Sequence, residues 1–133
     1  MLDLNKYQLK GRILIIDDDV DFAHLLRDML LAENYEVDVA YDGVKGILFQ
    51  NKNPYNLIVT YIVMPDMDGI EVILQVKKSA HDTKLIAISG GGYFQSQDYL
   101  FMAKQLGASM VFSKPFCAAD FKKAISQLLN VEV

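Results

Sequence analysis

The sequence predicts an α/β domain, a doubly wound five-stranded parallel sheet in the order 2-1-3-4-5 with helices on both faces. Two observations predict it. Five short apolar or alternating runs, each too short for a helix, are separated by segments whose apolar residues return at helical spacing. Right-handed crossovers then leave few topologies open, and this order is the common one.

The elements follow in order. RILIID, Arg12 to Asp17, is a continuous apolar run, as expected of a strand buried on both faces. Phe22, Leu25, Leu26, Met29 and Leu30 mark one face of a helix of about four turns. EVDVAY alternates as a strand, and Val44, Ile47 and Leu48 mark a short helix after the turn signal Asp42-Gly43. NLIVT is a third strand, followed by a Met-Pro turn and a helix through Ile70, Ile73, Leu74 and Val76. KLIAIS is the fourth strand, and Gly90-Gly91-Gly92 interrupts the pattern before a helix over 97–106. SMVFS is the fifth strand. Phe121, Ala124, Ile125, Leu128 and Leu129 share the face of a closing helix.

A chain of 133 residues is one domain long and carries enough apolar residues for a real core. At a net charge of −4 it lacks the basic face that sequence-independent nucleic-acid binding needs. No apolar run reaches the roughly 18 residues that span a membrane, and the N-terminal stretch has no signal-peptide core. The lone Cys117 suits a reducing cytoplasm, and its place after Lys114-Pro115-Phe116 reads as packing. With no linker or repeat in view, an output domain is expected on another chain.

In such sheets the ligand site lies beyond the carboxyl ends of the strands, where strand order reverses. There the sequence puts Asp17-Asp18-Asp19 and Tyr61, with Ser89 after strand four and Ser113-Lys114-Pro115 after strand five. Asp19 also reads as a helix N-cap. Asp66 and Asp68 read as turn residues, and His24 and His81 as surface residues without metal-ligand spacing.

ILIIDDD, MPDMDG, AISG and SKPF, in this order and spacing, resemble the signature segments of the response-regulator receiver domain. The likeness covers residues 12–130, leaving an N-terminal extension at 1–11 and a tail at 131–133. It implies a CheY-like, flavodoxin-like fold and a bacterial cytoplasmic protein of two-component phosphorelay signalling. It further implies Mg²⁺ held by Asp17, Asp18 and the Val63 carbonyl, and phosphoryl oxygens bound by Ser89 and Lys114. Those residue types suit the chemistry: Mg²⁺ takes oxygen ligands, and metal and lysine together offset charge on a transferring phosphoryl group.

Tyr61 departs from the family pattern, because an acyl phosphate needs a carboxylate at that position. A phenol, with an ordinary pKa of about 10, is a poor nucleophile and a poor Mg²⁺ ligand near neutral pH. The expectation is a stand-alone pseudo-receiver, not an enzyme, that binds Mg²⁺ weakly and acts on a protein partner, a histidine kinase or a downstream protein. The alternative is a conventional Mg²⁺-dependent phosphoacceptor whose aspartate has been substituted. A regulated phosphotyrosine is a third reading. A flavin or nucleotide enzyme on the same topology is disfavoured, since three aspartates after strand one repel phosphate. Val111 stands where the family carries a signalling aromatic, while Phe112 falls on the opposite side of the strand. The resemblance places partner contact, or homodimerisation, on the face of the fourth helix, fifth strand and fifth helix. The flanking loop 90–94 offers Tyr93 and Phe94 as anchors.

Overall fold

The computed structural model describes residues 9–64, 66–79, 82–90 and 95–131. Strands β1 (Arg12–Ile16), β2 (Glu36–Ala40), β3 (Leu57–Tyr61), β4 (Lys84–Ser89) and β5 (Met110–Ser113) alternate with five helices. These are α1 (Val20–Ala32), α2 (Gly43–Lys52), α3 (Gly69–Ser79), α4 (Gln95–Leu106) and α5 (Ala118–Leu128). All strand pairs are parallel and the order is β2-β1-β3-β4-β5, as the sequence predicts.

Alternation along the buried strands divides the core in two. Leu14, Ile16, Ile58, Leu85 and Ala87 face α2, α3 and α4, where Ile47, Val72, Ile73, Val76 and Ala103 meet them. Ile13, Ile15, Leu57, Val59, Ile86 and Ile88 face α1 and α5, where Leu26, Leu30, Phe121 and Ile125 meet them. Val111 and Phe112 pack on opposite layers, as their adjacent strand positions require.

Several apolar helix residues expected on the buried faces are solvated instead. Leu25 is 59% and Leu48 61% exposed, and Val44 and Leu74 are exposed as well. On α1 the buried stripe is Ala23, Leu26 and Leu30, and Leu25 lies about 100° round the helix from Leu26. Cys117 is a second correction: it is exposed, at the N-cap position of α5, where residues 117–120 all lie in solvent. β3 extends one residue further than expected and includes Tyr61, while α4 begins two residues earlier.

Buried polar groups hold the far end of the sheet. Gln50 donates to Thr83 Oγ1 at 2.9 Å and accepts from the Tyr55 amide, while Thr83 donates to the Tyr55 carbonyl at 2.8 Å. Tyr55 donates to Asp38 at 2.6 Å, and the Arg12 guanidinium lies 4.3 Å from the centre of its ring. These contacts tie α2, β2, β3 and the turn into β4 together, away from the polar edge.

Candidate functional site

The carboxyl ends of β1, β3, β4 and β5 bring Asp17, Tyr61, Ser89 and Lys114 to one edge. Asp17 is 2% exposed: its amide donates to the Ala40 carbonyl, and its Oδ1 accepts the Asp19 amide at 2.9 Å. Burial pushes its carboxyl up to about 6, although the Asp19 amide and the nearby Lys114 ammonium pull the other way. Asp18 and Asp19 are exposed. Asp19 is an N-cap, accepting the Phe22 amide at 3.1 Å and satisfying one of the free amides of the first turn of α1.

Tyr61 is the last residue of β3, paired with Ile88. Thr60 donates to its carbonyl at 3.0 Å. Behind it, Gly69 donates to the Ile62 carbonyl at 2.7 Å, and a Cβ at Gly69 would stand 2.5 Å from the Tyr61 carbonyl oxygen. Only a glycine lets the start of α3 come so close. Asp68 caps that helix through the Glu71 amide, and Asp66 sits in a turn at φ 66°.

The Tyr61 side chain folds inward over the edge, packing against both core layers. Its hydroxyl lies against Gly90, in the space that a side chain at position 90 would need. Above the ring, the Lys114 ammonium stands 4.4 Å from the ring centre. The same ammonium is 3.6 Å from the centre of the Phe22 ring. Burial first, and then Asp17, Asp18 and Asp19, raise the phenol above its ordinary pKa, so it is neutral at pH 7.

Ser89 ends β4, is 2% exposed and pairs with Ser113, and its carbonyl accepts the Lys114 amide at 2.9 Å. The Lys114–Pro115 peptide bond is cis. Val63 follows β3 in a bend, with its side chain in solvent. His24, read as a surface residue, is half-buried, its Nε2 2.7 Å from the Tyr41 hydroxyl. Gly91, Gly92, Tyr93, Phe94 and His81 lie outside the described residues.

The donor set is short of anionic oxygen for tightly held Mg²⁺. Beside Asp17, exposed Asp18 and the Val63 carbonyl stands a neutral phenol, with a lysine next to it. Among the described residues no cluster of three or more His, Cys, Asp or Glu is arranged to hold a metal. Two features escaped the sequence. Phe22 read only as a core-facing helix residue, and Gly90 only as a loop breaker. The signal for Phe22 was its position in the first turn after the aspartates, at the same sheet edge.

Among the described residues no helix is long and apolar enough to cross a membrane. The sequence model for the response regulator receiver domain matches residues 13–126. The chain is 28% identical to sporulation initiation phosphotransferase F of Bacillus subtilis (strain 168), covering 93% of this chain and 98% of that one. It is 31% identical to the same organism's chemotaxis protein CheY, covering 90% and 98%. A crystal structure of a CheY-like response regulator receiver domain protein from Methanospirillum hungatei JF-1 superimposes with a TM-score of 0.78. That match has 29% identity and covers 90% of this chain and 93% of that one. Of longer relatives, such as response regulator ArlR of Staphylococcus saprophyticus, the chain spans about half, 52% in that case.

Proposed function

The chain belongs to the response regulator receiver family of two-component signalling, and on that premise we propose that it signals without being phosphorylated. In this reading Tyr61 occupies the phosphoacceptor position. Asp17, Asp18 and the Val63 carbonyl are what remains of a metal site, and Ser89 and Lys114 are what remains of a phosphoryl-binding pair. One observation carries the reading: the Tyr61 ring lies beneath the Lys114 ammonium with its hydroxyl against Gly90. A neutral aromatic group thus fills the space between β3, β4 and Lys114.

The domain then acts by protein–protein contact in the cytoplasm, with a sensor histidine kinase or a downstream signalling protein, and not as an enzyme. The α4-β5-α5 face is the proposed contact surface, for a partner or a second copy. Its support is Phe101, 68% exposed, and Met102, 45% exposed, on α4. The test is association measured with and without acetyl phosphate and Mg²⁺. Equal affinity in both conditions supports the reading, and phosphodonor-dependent affinity overturns it.

A second reading, a conventional regulator with a substituted acceptor, is favoured by the presence of Asp17, Asp18, Ser89 and Lys114 together at the edge. It requires that Tyr61→Asp restore full phosphorylation in one step.

A further inference from the structure

The Lys114 ammonium has two aromatic neighbours, not one. The Phe22 ring centre is 3.6 Å away and the Tyr61 ring centre 4.4 Å. The rings come from different elements, Phe22 from the first turn of α1 and Tyr61 from the end of β3. Each offers the negative face of its quadrupole to the cation, and both lie well inside the range of about 6 Å over which that attraction acts.

Phe22 does not stand free. Its ring meets Phe116 edge-on with centres 6.0 Å apart, and Phe116 in turn packs on Phe112 and Phe121 at 5.3 Å each. The ring over Lys114 is therefore backed by an aromatic cluster that joins α1, β5 and α5.

From this geometry we infer that Phe22 is a second lock on the site: with Tyr61 it brackets Lys114 and withholds its ammonium from any anion entering the edge. The inference rests on the proposed function and goes beyond it, since it assigns the closure to a residue outside the acceptor position. Replacing Tyr61 alone opens one side of the bracket. Phe22 keeps the ammonium turned toward α1, so a single Tyr61→Asp change recovers only part of the site's affinity for a phosphoryl-like anion.

Two measurements test this on the full chain. The first is the NMR shift of the Lys114 ε-methylene protons, which aromatic rings move upfield of the other lysines. The expected result is a clear upfield position that retreats in Phe22→Leu and, separately, in Tyr61→Leu. A Lys114 signal among the other lysines overturns the bracket without touching the acceptor reading.

The second is binding of beryllium fluoride with Mg²⁺ to Tyr61→Asp and to Tyr61→Asp/Phe22→Leu, with thermal melts confirming that both fold. The double variant is expected to bind about two- to fivefold tighter, the effect of removing one cation–π contact of ordinary strength. Equal binding by the two variants overturns the second lock and leaves the acceptor reading standing. Failure of both variants to bind overturns the acceptor reading on which the lock rests, and the lock with it.

Discussion

The Tyr61 hydroxyl occupies the space where a side chain at Gly90 would have to go. This couples the end of β3 to the end of β4 through one phenol and one missing methyl group. Gly90→Ala should therefore displace the Tyr61 ring and destabilise the fold by about 1–3 kcal/mol, the usual cost of overpacking. Removing the hydroxyl as well, in Gly90→Ala/Tyr61→Phe, should recover much of that loss. The next ring atom would stand 3.3 Å from the new Cβ, a separation that a small shift accommodates. Chemical denaturation of the four proteins of this cycle measures the coupling, and additive effects would show that the two positions do not touch.

Asp17 makes stability depend on pH with a definite sign. Its carboxyl is raised to about 6 by burial, so the folded state holds a proton that the unfolded chain has already released. This contribution is most favourable near and below pH 4 and is lost as pH rises through about 6. Asp17→Asn removes the cost, and its amide oxygen can still accept the Asp19 amide. The variant should be more stable than the parent at pH 7.5, by about 1–3 kcal/mol, and nearly equal to it at pH 4. Melting curves at the two pH values check this, and a destabilised variant at pH 7.5 would mean that the carboxylate is held as an ion.

Mg²⁺ should bind at least about tenfold more weakly to this chain than to Tyr61→Asp, because one anionic oxygen is missing from a small donor set. Isothermal titration of both proteins decides it. Equal affinities would show that the phenol position never contributes to the metal site.

Phe101 and Met102 expose much of their apolar surface on α4, so removing them should cost little stability. Phe101→Ser/Met102→Ser should weaken association with a partner or with itself about tenfold or more, and shift Tm by only a few degrees. Unchanged association would place the interface elsewhere on the domain.

Thr83→Val should destabilise by about 1–3 kcal/mol, because it leaves the Gln50 amide and the Tyr55 carbonyl without their buried partner. Equilibrium unfolding measures it, and a neutral effect would mean that water takes the place of the hydroxyl.

The strands were legible because buried parallel strands write themselves as short apolar runs, RILII and KLIAIS above all, and their order because right-handed crossovers leave few topologies open. The site was legible as a gathering of polar residues where those runs end. Side-chain direction was not. Nothing in the pattern around Tyr61 distinguishes a ring folded over β4 from one in solvent, because that choice depends on the gap left by Gly90 across the sheet. Phe22 was hidden for a related reason: helical periodicity assigns a residue to a face, but not to the particular cation above it. Leu25 and Leu48 misled because an apolar residue next to the buried stripe is chemically indistinguishable from one inside it.

The most direct test of phosphorylation-independent signalling is intact-mass spectrometry of the chain after incubation with acetyl phosphate or phosphoramidate and Mg²⁺, beside Tyr61→Asp treated identically. The expected result is no added phosphoryl group on the parent chain and a partial gain on Tyr61→Asp. A phosphoryl group on a substantial fraction of the parent chain, whether on Tyr61, Asp17, Asp18 or a turn aspartate such as Asp66 or Asp68, would contradict it.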